Sequence, residues 1–523
     1  YLETTEFSAY GKDTGDNDAG DDKSGSDKTN TDGSNDNNKS TNDNNESDEL
    51  LEYFYYEFDT PLEAYYYLKN NIHTEFYYGI RKNPIATYEG CAGNDYDQAI
   101  LLGTVLKALG YEVKYVKGTI RLKPEKILSM TGAKDIDQAA DIFAMAGIPV
   151  TKLRAKDGSI KAVEVEHVWV RANIPYTDYR GAGSAAGKSV WLDLDTSIKD
   201  YEDAENLYDY IESTDNKDEL RTILNASSID DKVSGLKSYT SARTENAEFK
   251  EKSLYNRKRK IKETENEYLP LSLQYEVSKE LEVTENLSTS DSISISVAGE
   301  NLGNYTAAYL SDKSVVVSFV PATESDKEII DAYGGIFDVP AGYVYVKPAL
   351  FIDNEKVSEC EVAEFNLGAE TTMEIDLSFV GNVPEKQKNI SNKCIAGSTY
   401  AVTFDTQTMG PYESWNSYLN LYHYKDKINE NNVFDREKLG ALLSYTGKLY
   451  FAQVDAENVL TSETMDIVDV RRLSEAVTGY EVRRNSSYGV VTKLSYGNLF
   501  IDVDAEDHYV KSKDGDKNKE FLY

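Results

Sequence analysis

Cys91, His167, Asp193 and Asp195 are of the residue types that thiol acyl transfer requires, and they occur in a workable order. A nucleophilic cysteine needs a base to take its proton and an acid group to hold that base. It also gains from a helix amino end, whose partial positive charge favours the thiolate. Cys91 precedes a helix-start signal at Asn94–Asp95, and His167 lies in the alternating run EHVWV. Asp193 and Asp195 share one face of the run WLDLD. The chain has four histidines, and His167 alone sits in a patterned strand between the other candidates. Asn83, Asn94 and the helix-start amides are candidate oxyanion donors.

The elements that must position these groups are readable from spacing. Residues 90–118 carry a loop of small residues, then a helix with Ala99, Leu102, Leu106 and Leu109 on one face, then a strand at 112–116. Asn94 or Asp95 can cap the helix, and Gly110 suits the left-handed residue that ends it. Asp59-Thr60-Pro61 starts an earlier helix over 62–71, and 136–146 reads as a further helix stopped by Gly147. Residues 163–173 alternate as a strand, with His167 and Trp169 on the face of Val163 and Val165. A turn-rich loop at 180–188 joins it to a strand at 190–195, which predicts an antiparallel pair.

Composition narrows the function classes. A formal net charge of -35 repels nucleic acid and anionic membranes, and no run approaches the roughly 18 apolar residues that span a bilayer. The chain starts at Tyr1 without a hydrophobic signal region, as a mature product or a piece of a longer chain does. Forty tyrosines suit surface-displayed sheets. Cys360 and Cys394 could pair in an oxidising compartment, or all three cysteines could be buried thiols. Residues 11–49 form a disordered acidic linker; Asp16, Asp18 and Asp32 hint at a calcium loop, but the glycine and glutamate offsets are wrong for one. A helix at 204–211 and a basic cluster at 250–262 read as a solvated connector. From residue 269 the pattern turns to strands at 292–297, 305–310, 314–320, 343–352, 371–379 and 400–404, with a short helix at 324–332. Helices at 412–465 follow, then strands at 480–483, 489–494 and 499–503.

The blocks at 99–118, 167–170 (HVWV) and 191–197 (WLDLDTS) resemble those of transglutaminase-like domains. The resemblance covers residues 60–202 and is closest to a bacterial branch found in secreted YD-repeat (Rhs-like) proteins. The blocks at 343–352 and 443–456 extend it less specifically. It implies an α+β fold with a papain-like core and a Cys-His-Asp triad, followed by β-rich, sandwich-like modules with inserted helices. The orienting acid would be Asp195, because the family's Asp precedes the position of Thr196; Asp193 is the alternative. The family's nucleophile position falls on Asp95, four residues after Cys91. That distance is about 6 Å along a helix or roughly 13 Å if extended, so Cys91 reaches His167 only if the loop 91–93 folds back. Asp95 would instead cap the helix and pair with His167.

The expected layout is a linker at 1–49, the transglutaminase-like domain at 50–202 and a charged helical connector at 203–265. A β-rich module at 266–410 follows, then a helical insertion and β-rich module at 411–523. The implied function is a module with weak or lost acyl transfer and a scaffold or recognition role in a secreted or surface-attached bacterial protein. It would engage a protein or peptide, with no cofactor, metal, nucleic acid or membrane insertion. The alternatives are an active acyltransferase or cysteine peptidase using Cys91, His167 and Asp195, and a glycan- or protein-binding surface on the β-rich half.

Overall fold

Several helix starts coincide with residues that cap them. The structure, a computed structural model, describes residues 51–523 apart from 134, 176–188, 204–215, 245–258, 384–385, 405–410, 428–434, 465–466, 472–476, 488–489, 503–507, 513–517 and 521–523. The linker at 11–49 with its calcium-loop candidates, the loop at 180–188, the helix at 204–211 and most of the basic cluster lie outside the described residues. The fold is α+β, with 35% helix and 35% strand.

Helix α1 is Pro61–Asn71, where Pro61 fits the first turn and the Thr60 hydroxyl accepts the Glu63 N–H. Helix α2 is Pro84–Glu89, capped by Asn83. Helix α3, Asp95–Ala108, is capped by Asn94, whose side chain accepts the Asp97 N–H. It ends before Gly110, which takes φ +88°. Strand β1 (Glu112–Leu122), helices α4 (Pro124–Thr131) and α5 (Ile136–Met145), and strands β2 (Val150–Arg154), β3 (Ile160–Pro175) and β4 (Ser189–Leu194) follow. The capping residue of α5 is Asp135, which accepts the Gln138 N–H.

These strands form one antiparallel sheet in the order β2, β3, β1, with β5 (Glu276–Thr284) beyond β1. The expected boundary at residue 266 therefore does not bound this sheet. Strand β5 is exposed along most of its length, and Lys279 interrupts the alternating set Val277, Leu281 and Val283, so its sheet position is weakly announced. The other edge of β3 is shared: β2 pairs with 160–165 and β4 with 170–175, which leaves a gap opposite residues 166–169.

Helices cover both faces. Leu101, Leu102, Val105 and Leu106 of α3 are fully buried against Val168, Val170 and Ala172 of β3. Each such side chain contributes about 2 kcal/mol by burial. The opposite face, with Val163, Val165 and Trp169, packs on Ile127 and Met130 of α4 and Ile142 and Phe143 of α5.

The second half is a sandwich of two antiparallel sheets. One takes β6 (Ser292–Val297), β7 (Glu300–Thr306), β11 (Glu370–Ser378) and β12 (Gln387–Ile395) in the order β7, β6, β11, β12. The other takes β8 (Val315–Pro321), β9 (Tyr345–Ile352), β10 (Glu355–Glu359), β13 (Thr399–Phe404), β14 (Val477–Ser487) and β15 (Val490–Asp502) in the order β10, β9, β8, β13, β14, β15. Ile293, Ile295, Val317, Phe319, Leu350 and Ile375 share the core between them. Helix α6, Arg436–Thr464, lies on the outer face of the larger sheet, where the Ser318 hydroxyl donates to Glu437 at 2.8 Å.

Two strand expectations are corrected. Residues 305–310 are not a strand, because β7 stops at Thr306, whose hydroxyl caps a helical turn at Ala307–Leu310. The strands expected at 489–494 and 499–503 are one strand, β15. No disulfide joins Cys360 to Cys394 or Cys91 to either. Among the described residues no helix is long and apolar enough to cross a membrane.

Candidate functional site

The gap in the β3 edge is where the chemistry-bearing groups collect. Glu166 donates its N–H to the Pro149 carbonyl just before β2. Val168, whose N–H points to the same edge, has neither β2 nor β4 opposite it, and the Asp95 carboxylate takes its N–H at 2.9 Å. The start of α3 thus plugs the sheet edge with a side-chain acceptor. The same Asp95 Oδ2 lies 3.1 Å from Nδ1 of His167.

His167 is buried, and its second ring nitrogen is also taken: Nε2 lies 3.0 Å from Asp195 Oδ2. Asp195 follows the end of β4, in a turn that ties itself down. The Ser197 N–H and hydroxyl both donate to Asp195 Oδ1 at 2.7 Å, and the Tyr275 hydroxyl donates to Oδ2 at 2.8 Å. The Ser197 oxygen is also 3.3 Å from His167 Nε2. Tyr65 and Lys69 of α1 donate to the Asp195 backbone carbonyl.

Charge follows geometry. Burial alone would push the His167 imidazole down. The charge and hydrogen bond of Asp195, then those of Asp95, outweigh it and raise the group to about 10. Burial pushes Asp195 up, but the His167 charge and the bonds from His167 and Ser197 hold it well below the usual carboxylate range. Near pH 7 the ring is therefore an imidazolium held against the ionised Asp195. A base that holds its proton to pH 10 takes none from a thiol at neutral pH, where a general base works best with a pKa near the ambient pH.

Asp193 takes no part in this centre. It faces Arg171 across the β3–β4 pair and holds its guanidinium through both oxygens, at 2.6 and 3.0 Å. Cys91, half-buried, points its Sγ to the Tyr88 carbonyl at 3.6 Å and has φ +49°. The structure therefore brings together His167, Asp195 and Asp95. With both ring nitrogens on carboxylates, neither is left for a Cys91 thiol. Asp95 does not cap α3 as expected; Asn94 does, which frees the Asp95 side chain for the sheet edge.

Of the candidate oxyanion donors, Asn94 is spent on structure: its amide donates to the Tyr77 and Gly79 carbonyls at 2.9 and 2.8 Å, while Asn83 caps α2 through its side-chain oxygen. Replacing Asn94 with alanine removes the cap and strands two buried carbonyls. The expected cost is roughly 2–3 kcal/mol, read as a lower urea midpoint at constant slope.

Residues not singled out by sequence complete the setting. Ser197 had a local signal, as the second residue after an Asp in a turn. Tyr275 had none, because it reaches Asp195 from 80 residues away. Gly118, opposite His167 in the β1–β3 register, is small by necessity: a Cβ there would sit 2.6 Å from the Trp169 ring and 2.7 Å from the Lys279 carbonyl. Beside Asp195 a small cleft is lined by Tyr65, Lys69, Ile198, Leu273 and Tyr275. Among the described residues no cluster of three His, Cys, Asp or Glu side chains could hold a metal ion. No protein-family model, curated protein or solved structure matches the chain.

Proposed function

We propose that the sheet around β3 with its helices is a transglutaminase-like domain whose nucleophile has been replaced. It would serve as a scaffold or recognition module for a protein or peptide partner, in a secreted or surface-attached bacterial protein. One observation carries the reading: the imidazole keeps the two-sided setting of a Cys-His-Asp triad, but both sides are carboxylates. Asp195, which the resemblance makes the orienting acid, is on Nε2, and Asp95, at the family's nucleophile position, is on Nδ1. A carboxylate is a weak attacker on amides, and the protonated ring cannot activate Cys91.

The test is amine incorporation into a glutamine-bearing protein acceptor, and peptide hydrolysis, by the wild type and by Cys91→Ala. The expected result is no turnover by either. Wild-type turnover lost in Cys91→Ala would establish the active-enzyme alternative instead. A second arm, Asp95→Cys, tests the nucleophile position itself. A thiol at a helix start beside His167 is expected to alkylate with iodoacetamide at pH 6, about a hundredfold faster than an ordinary thiol of pKa near 8.5. No reaction at that position beyond the rate of an ordinary thiol would remove the transglutaminase-like reading.

A further inference from the structure

We propose that Lys82 and Glu75 are joined by an intramolecular amide bond formed by the folded chain itself. The two residues lie on the segment 73–82, whose Tyr77 and Gly79 carbonyls take the Asn94 amide at the start of α3. Lys82 is fully buried and Glu75 nearly so, and Lys82 Nζ is 3.0 Å from Glu75 Oε2. The Ala92 carbonyl holds the same nitrogen at 2.9 Å, so the amine is fixed in direction as well as distance. A second carboxyl stands next to the pair. The Tyr77 hydroxyl is 3.4 Å from Glu75 Oε2 and donates to Oδ2 of Asp97, a fully buried residue. Burial pushes the Asp97 carboxyl up, against the bonds from Tyr77 and the Arg81 and Lys82 amides, to about 6, so it exchanges a proton readily near neutral pH.

This is the equipment that condensation of an amine with an acid needs. An ionised pair out of water bears a desolvation cost, and moving one proton from Lys82 to Glu75 relieves it and yields the two neutral reactants. Their fixed contact replaces an encounter in solution, an effect that reaches effective molarities on the order of 10⁵ M or more. The Nζ lone pair attacks the Glu75 Cδ, forming the C–N bond while one C–O bond breaks. The departing hydroxyl, built on the carboxyl oxygen 3.0 Å from Nζ, takes up the proton that Nζ sheds and leaves as water. No oxidation state changes. The hydrogen remaining on nitrogen keeps its bond to the Ala92 carbonyl.

The experiment is intact mass spectrometry of the purified full chain, unfolded in denaturant. The expected mass is lower than the sequence value, 58.6 kDa, by one water. Proteolysis is expected to release one branched peptide containing both residues. Lys82→Met is expected to weigh its full sequence value whether or not it folds. A wild-type chain at its full sequence mass overturns the proposal, and so does a missing water that persists in Lys82→Met.

Discussion

Replacing His167 with leucine is expected to destabilise the fold by about 3–5 kcal/mol, the usual cost of breaking a buried ion pair from one side. Leucine fills much of the volume, so packing is not the main loss. What remains is a buried carboxylate, Asp195, and a partly buried one, Asp95, whose shared cation is gone. Asp195 keeps its bonds from Tyr275 and Ser197, whereas Asp95 keeps its bond from the Val168 N–H. Against a domain stability of roughly 5–15 kcal/mol this is a large fraction. Urea unfolding followed by tryptophan fluorescence reads it directly, since buried Trp169 lies two residues along the same strand. Asp193→Asn is the control. Its ion pair with Arg171 is partly exposed, and its loss is expected to cost about 1 kcal/mol or less. Asp95→Asn in the His167→Leu background removes one stranded charge, so the double variant is expected to lose less than the two single variants together. Equal losses for His167→Leu and Asp193→Asn would mean that no charged centre is buried at His167.

How much of this centre was legible depended on whether its causes were local. Asn94, Thr60, Gly110 and Gly147 act within one helical turn of themselves, and their types announced where α1, α3 and α5 begin or end. The alternation of β3 is likewise local, and it put His167 and Trp169 on one face, while the turn-rich stretch at 180–188 announced the pairing with β4. The division of labour between Asn94 and Asp95 was not legible. Either can cap a helix, and the choice was made by a gap in an edge 73 residues away that only the assembled sheet defines. The same holds for β5 and Tyr275. A mostly exposed strand whose apolar set is broken by Lys279 carries only a weak periodic signature, and its place beside β1 depends on Gly118 opening room for it. Buried lysines were invisible for a related reason. Lys69 and Lys199 are held by carbonyls at the end of α1 and around Asp195, acceptors that no pattern in the sequence records.

The pH dependence of stability reports on the same imidazole, and its sign follows from the direction of the shift. His167 binds its proton more tightly folded than unfolded, so its contribution is complete below its unfolded value of 6.5. It is lost progressively as pH rises toward about 10. A rise of that size corresponds to roughly 5 kcal/mol. Asp195 acts at the other end. Its depressed value contributes stability above the ordinary carboxylate range, which is lost as pH falls through that range. Lys69 and Lys199 oppose His167 in the alkaline window. Burial lowers both, so the unfolded chain holds their protons longer and stability gains as pH rises. The wild-type curve alone therefore mixes two signs. The difference between wild type and His167→Gln isolates the imidazole, because the lysines are common to both. That difference is expected to be largest near pH 6 and to decline steadily to pH 10 in urea titrations at matched ionic strength. A difference that is flat from pH 6.5 to 10 would mean that the ring is already neutral at pH 7. A neutral ring between these residues would have one nitrogen able to accept a proton, and the case against acyl transfer at this centre would lose its electrostatic half.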